Sequence, residues 1–269
     1  MVFNITECVD FHHGKRIVIT ILVCGHDVVI IMHKEGDALL IQQPVYFPFR
    51  EVIEDNGRIF VNNQLHYEDG KYTIDFEDFE KKIVDNNVKV FILCNPHNPV
   101  GRVWTKEELE KMGDICLKHN VVIMDDEIHC DFTYPGFKFT SFMTLDKKYH
   151  NSLVLYTSPS KTFNVAGLQP ANIIIKNQEL RAAYRKANVA AGYSQGSIMG
   201  QVAVKSVYTK GDEWVNELVE YITGNMNYMR DFVKENFPKA QFVDPEGTYL
   251  TWVDFSGYGF TDEELEHIM

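Results

Sequence analysis

Thr157-Ser158-Pro159-Ser160-Lys161-Thr162-Phe163-Asn164 is the stretch around which the rest of the chain is organised. It follows the apolar run Leu153-Val154-Leu155-Tyr156 and precedes a small-residue turn, Ala166-Gly167. A short apolar run bounded by turn residues reads as a buried strand. The sequence therefore puts a primary amine at the mouth of a strand, with two hydroxyls just before it. That arrangement suits a lysine that forms an imine with a phosphorylated aldehyde. Pyridoxal 5′-phosphate (PLP) needs such a lysine, hydroxyl and backbone donors for its phosphate, and an acid against its pyridine nitrogen. Taken alone the stretch is weak evidence, because lysines near strand ends are commonly just solvated. Its weight comes from what lies upstream.

From Lys34 the pattern is regular. Ala38-Leu39-Leu40-Ile41 is a buried strand, with Gln42-Gln43-Pro44-Val45-Tyr46 as a loop at its C-terminal end. Arg58-Ile59-Phe60-Val61 is another short strand. Tyr67 to Tyr72 is a hairpin, since Asp69-Gly70 supplies the positive φ angles of a tight turn. Asp75 caps a helix running to about Val84. The strand Val88 to Leu93 then enters Cys94-Asn95-Pro96-His97-Asn98-Pro99-Val100-Gly101, where two prolines and a glycine forbid regular structure. Thr105-Lys106-Glu107-Glu108 is a capping box, and Leu109, Met112 and Cys116 share one face of the helix it starts. Val121-Val122-Ile123-Met124 is the next strand and delivers Asp125-Asp126-Glu127-Ile128-His129 to its C-terminal end. The succession strand, helix, strand from 88 to 126 is a βαβ unit with parallel strands. Ligands of open α/β sheets bind at such C-terminal ends.

Beyond the lysine, Asn172 to Ile175 reads as a strand, and Glu179 to about Ala190 and Ser197 to Tyr208 as helices. Asp212 to Asn236 is a proline-free stretch of helical length. Gln241 to Val243 and Thr248 to Val253 read as strands, and Thr261 to Met269 as the start of a helix. Residues 1–33 differ from the rest: Ile17 to Val23 and Val28 to Ile31 are β-branched runs that favour strands. The organisation expected is an atypical segment 1–33, a large domain 34–211, and a connecting helix with part of a small domain at 212–269.

A chain of 269 residues with 45% hydrophobic residues can bury a sizeable core. The net charge of −12, with no local basic patch, argues against nucleic acid or an anionic membrane surface as partner. The apolar run before Gly25 is far too short to span a membrane. Five cysteines, Cys8, Cys24, Cys94, Cys116 and Cys130, lack any CxxC spacing and lie in or beside apolar runs. They read as reduced, mostly buried thiols of a cytoplasmic protein, with no metal site.

Tyr46, Asn98, Asp126 with His129, and Lys161 all follow buried strands, so a parallel sheet would gather them at one edge. Together Gln43-Pro44-Val45-Tyr46, Asn95 to Gly101, Asp126-Glu127-Ile128-His129 and Ser158 to Asn164 resemble fold type I PLP enzymes, the class I/II aminotransferase superfamily. More closely they resemble its cystathionine β-lyase-type carbon–sulfur lyases, the subgroup that includes the maltose-regulon modulator. The resemblance covers about residues 34 to 255. It implies a three-layer α/β fold with a predominantly parallel sheet, plus part of a small α+β domain, and a homodimer. It makes Lys161 the Schiff-base lysine and the base that moves the Cα proton. Asp126 would pair with the pyridine nitrogen and keep it protonated. Asn98 and His129 would stand at the phenolic oxygen, Tyr46 would stack on the ring, and Ser158 with Ser160 would bind the phosphate. Read as residues alone, each keeps a plainer alternative. Asp126 could cap a helix, His129 and Tyr46 could be packing, Asn98 could serve its turn, and Ser160 could bond its own backbone.

The sequence also departs from the family pattern. Where many members place an arginine for the phosphate this chain has Gln169, and no glycine-containing phosphate cup is recognisable before Gly36. The arginine that would grip a substrate carboxylate is not found either. These mismatches read as a family member truncated at both ends, with weakened cofactor binding and turnover. The activity implied is β-elimination from cystathionine or a similar cysteine thioether to thiol, pyruvate and ammonia. Transamination of amino acids, or a non-catalytic remnant that keeps the shell of the domain, are the alternatives.

Overall fold

The computed structural model describes residues 34–68, 70–190 and 196–268. The β-branched runs at 17–23 and 28–31 lie outside them. In chain order the elements are β1 (Ala38–Ile41), α1 (Pro48–Asp55), β2 (Ile59–Asn62), β3 (His66–Glu68), β4 (Lys71–Thr73), α2 (Phe76–Asp85), β5 (Val90–Cys94), α3 (Lys106–Lys118), β6 (Val122–Asp126), β7 (Leu153–Thr157), β8 (Asn172–Ile175), α4 (Gln178–Ala190), α5 (Ile198–Lys210), α6 (Asp212–Asn236), β9 (Gln241–Val243), β10 (Trp252–Asp254) and α7 (Asp262–Ile268).

Six strands form one sheet in the order β2-β1-β5-β6-β7-β8. All neighbours are parallel except β8, which runs antiparallel to β7. The strands are short and almost wholly apolar because both faces of the sheet are covered, as a parallel sheet requires. Alternation along each strand sorts side chains between two cores. Leu40, Phe91, Leu93 and Ile123 pack with Phe79 of α2 and Leu109 of α3 on one face. Leu39, Ile92, Met124 and Val154 pack with Ile53 of α1 and Tyr184 of α4 on the other. The result is the expected three-layer α/β/α domain.

Local capping is as the sequence predicts. The Asp75 carboxylate accepts from Glu77 N and Asp78 N, and Thr105 with Glu108 forms a reciprocal capping box. β3 and β4 form the expected hairpin, with Gly70 at φ +82°. Helix α1, with Pro48 in its first turn, was not anticipated. Among the described residues no helix is long and apolar enough to cross a membrane.

One expected strand is different. Of Thr248 to Val253 only Trp252 and Val253 are in a strand, β10, which pairs with β9. Residues 245–248 instead form a strap against the main domain. Glu246 N and Gly247 N donate to Gly101 O, Thr248 N donates to Phe132 O, and Tyr134 N donates to Glu246 O. The reason is close backbone approach: a Cβ at Gly247 would stand 2.5 Å from Phe132 O, and one at Gly101 2.6 Å from Pro245 Cβ. Thr248 is held at φ +68°, a strained angle for a β-branched residue.

A buried ion pair holds the strap. Arg102 Nε meets Glu246 Oε2 at 2.9 Å with both side chains nearly inaccessible, and the same guanidinium reaches Glu108 and the Tyr72 carbonyl. Removing one partner of a buried pair strands the other charge, at a cost of about 3–5 kcal/mol. Arg102→Ala should therefore lower the unfolding free energy by about 3 kcal/mol in urea titrations. A loss under 1 kcal/mol would show that Lys71, 2.9 Å from Glu246 Oε1, and the Val103 N–H hold that carboxylate without Arg102.

Candidate active site at the C-terminal sheet edge

Strands β5, β6 and β7 end in register: Cys94 is opposite Asp126, and Asp126 opposite Tyr156. Two residues earlier on these strands, Ile92, Met124 and Val154 face the α1/α4 side, so Cys94, Asp126 and Tyr156 face it too. On that side an open cleft collects Tyr46, Asn98, Asp126, His129, Ser160 and Lys161.

Of the residues singled out in the sequence, Ser158 alone is outside that lining. Its hydroxyl is turned inward, donating to Pro170 O at 2.5 Å while its oxygen accepts from Ser160 N at 3.0 Å. It braces the lysine turn, which is closed further by Phe163 N to Pro159 O and Val165 N to Ser160 O. Cys94, Gln169 and Pro170 also line the cleft. Cys94 and Pro170 escaped sequence reasoning, although the position of Cys94 at the end of an apolar strand was a usable signal. The thiol of Cys94 is held protonated by burial and lies 3.4 Å from both Pro96 O and Asn98 N.

Two loops are tied together behind the cleft. Burial pushes the His97 imidazole down to about 4, so the ring is neutral, and its Nε2 lies 2.8 Å from Pro44 O. This link sets the 42–46 loop, and with it Tyr46, against the loop that carries Asn98.

Asp126 is not a helix cap. It is followed by a turn, and its Oδ1 accepts from Ile128 N at 3.1 Å. Burial raises its pKa to about 6, opposed by that bond and by the charge of Lys161. Burial and the Lys161 charge push His129 the other way, to about 4. His129 is buried, its Nδ1 has no hydrogen-bond partner among the described residues, and its ring lies 5.2 Å from that of Tyr249. The phenol of half-buried Tyr46 is raised by burial and by the Asp126 charge. A buried carboxylate with one backbone donor suits a cationic ring N–H, and the imidazole and Asn98 amide suit a ring oxygen. The donor set therefore fits PLP.

Asp125 and Glu127 point to the opposite face of the sheet and are both buried. Burial raises both, and the charge of Glu127 raises Asp125 further, so the pair keeps a proton that isolated carboxyls would lose. The sign follows: the unfolded chain releases its protons near pH 4 while the folded chain holds one, so folded stability falls as pH rises through the elevated value. Glu127→Gln should flatten this dependence, such that from about pH 5 to 8 the parent loses on the order of 2 kcal/mol more than the variant. Comparing the two chains in urea cancels the opposing contributions of His97 and His129. Parallel curves would place the retained proton on Asp125 alone.

A three-layer domain with a lysine turn, a buried aspartate and a histidine at the C-terminal edge of its sheet has the architecture of fold type I PLP enzymes. Comparison with known proteins agrees. The chain belongs to the aminotransferase class I and II family, whose model matches residues 24–268, and within it to the cystathionine β-lyase/MalY-like subgroup. It is 43% identical to cystathionine β-lyase PatB of Bacillus subtilis over 234 residues, covering 87% of this chain and 60% of that protein. With protein MalY of Escherichia coli the identity is 32%, covering 86% and 59%. Cystalysin from Treponema denticola, whose crystal structure contains PLP, superposes with a TM-score of 0.92 at 35% identity, covering 98% of this chain and 69% of that one. The chain thus spans about three fifths of the length of the curated relatives it matches.

Proposed function

We propose that this chain carries the cofactor site of a PLP-dependent carbon–sulfur β-lyase acting on cystathionine or a similar cysteine thioether. The observation that carries the reading is that Lys161 shares one cleft with Asp126, a buried carboxylate with a single backbone donor. Similarity to cystathionine β-lyase PatB supports the lyase chemistry. When bound, PLP supplies an aldehyde for an amine and a ring that accepts electrons from the substrate Cα. Lys161 would hold the cofactor through its amine and, when that amine is free, would carry the Cα proton. Asp126 holds the pyridine nitrogen in its protonated form through a charge-assisted bond. Asn98 and neutral His129 donate to the phenolic oxygen, and Tyr46 covers a ring face. Ser160, braced by Ser158, serves the phosphate. In this reading PLP and an amino-acid substrate are the ligands, and two copies form the dimer.

The test supplies PLP to the purified chain, then follows pyruvate release from cystathionine alongside 2-oxo acid exchange with amino acids. Pyruvate release supports the lyase. Exchange without pyruvate makes the chain an aminotransferase, and neither activity with no PLP bound makes it a non-catalytic shell.

A further inference from the structure

Lys161 sits on a turn whose own bonds do not reach Asp126 or His129. Ser158 braces that turn against Pro170, on the side of β8, and Phe163 stacks on Trp214 with ring centroids 5.4 Å apart. A Cβ at Gly211 would stand 2.4 Å from the Phe163 ring, so α6 begins hard against the turn. One side-chain bond among the described residues points the other way. Thr162 Oγ1, fully buried, donates to Asp131 Oδ2 at 2.7 Å.

Asp131 belongs to the turn that carries His129, closed by Cys130 N to Glu127 O and Phe132 N to His129 O. That turn continues β6, and the lysine turn continues β7, two strands that pair in register up to Asp126 and Tyr156. The Thr162–Asp131 bond therefore cross-links the two turns beyond the point where the sheet ladder stops. It lies one residue from Lys161 and two from His129.

We infer that Thr162 and Asp131 form a positioning clamp that holds the Lys161 amine against Asp126 and His129. A lysine has a flexible four-carbon stem, and its amine is placed only as well as its Cα. Fixing the Cα spacing of two neighbouring turns limits where that amine can go. This matters because a reacting group displaced by an ångström loses much of its rate. The inference rests on the reading that Lys161 is the cofactor lysine, but the clamp can be tested without the cofactor.

The experiment uses the full chain with Thr162→Val, which keeps the shape and removes the hydroxyl, Thr162→Ser, which restores it, and Asp131→Ala. In the protein alone, Lys161 is reductively methylated with formaldehyde and cyanoborohydride and its rate is read by peptide mass spectrometry against exposed lysines. With PLP added, borohydride-trapped pyridoxyl on Lys161 is quantified. Thr162→Val and Asp131→Ala should each raise the methylation rate at least threefold and cut pyridoxyl trapping about fivefold. The double variant should be no worse than either single one, since both changes remove one interaction. Thr162→Ser should match the parent. Parental methylation in Thr162→Val, or a change in Thr162→Val that Asp131→Ala does not share, overturns the clamp. Absence of pyridoxyl on Lys161 in the parent overturns the cofactor reading alone, since the methylation arm still decides the clamp. A melting temperature unchanged in Thr162→Ser but lowered in Thr162→Val, with parental methylation in Asp131→Ala, would make the bond structural only and also overturns it.

Discussion

Lys161→Ala is expected to abolish borohydride trapping of PLP on the chain and to reduce any cystathionine cleavage by on the order of 10³-fold or more. A positioned general base contributes about 10²–10⁴-fold by itself, and in the proposed site the same amine also anchors the cofactor. Folding should be unaffected, because the side chain is partly exposed at the cleft and the turn is closed by the backbone bonds of Phe163 and Val165 and by Ser158. Peptide mass mapping after borohydride reduction decides the matter. Pyridoxyl on another lysine in the parent, or trapping that survives in the variant, would remove Lys161 from the site.

Asp126→Asn is expected to lose far more turnover than cofactor. The amide can still accept from Ile128 N and can hydrogen-bond a ring nitrogen, so PLP affinity should fall less than about tenfold. It cannot keep that nitrogen protonated, and losing a preorganised electrostatic contact of this kind costs about 10²–10³ in rate. The parent carboxyl titrates at about 6 without cofactor because burial opposes its charge. A cationic ring should draw it down, so trapping of PLP should weaken more steeply in the parent than in the variant as pH falls through that range. Equal turnover in the two chains would leave Asp126 as no more than a bond to its own turn.

Much of the fold was legible in the sequence because its signals are local. The apolar runs read at 38–41, 88–93, 121–124 and 153–156 fall on the strands Ala38–Ile41, Val90–Cys94, Val122–Asp126 and Leu153–Thr157. They are buried on both faces, and a parallel sheet needs continuous apolar strands to be so. Asp75 and Thr105 mark helix starts because a side-chain oxygen there satisfies amides two or three residues on. The motifs also indicated which end of the sheet would matter, since each follows a strand.

Other features depend on residues far apart in the chain, and no local pattern encodes them. The orientation of β8 became visible only when Asn172 was seen opposite Thr157. Ser158 reads like Ser160 in sequence, yet Pro170 turns one inward and leaves the other at the cleft. Thr248 to Leu250 looked like strand, but Gly101 and Phe132 take the backbone bonds of the preceding strap. Arg102 and Glu246 are joined across 144 residues. Periodicity and capping act over a few residues, so the sequence by itself determined most of the strands and helices and which polar residues would follow the strand ends. Which of those groups face one another was decided only when the sheet brought distant loops into contact, because burial and hydrogen bonding there depend on partners supplied by the whole domain.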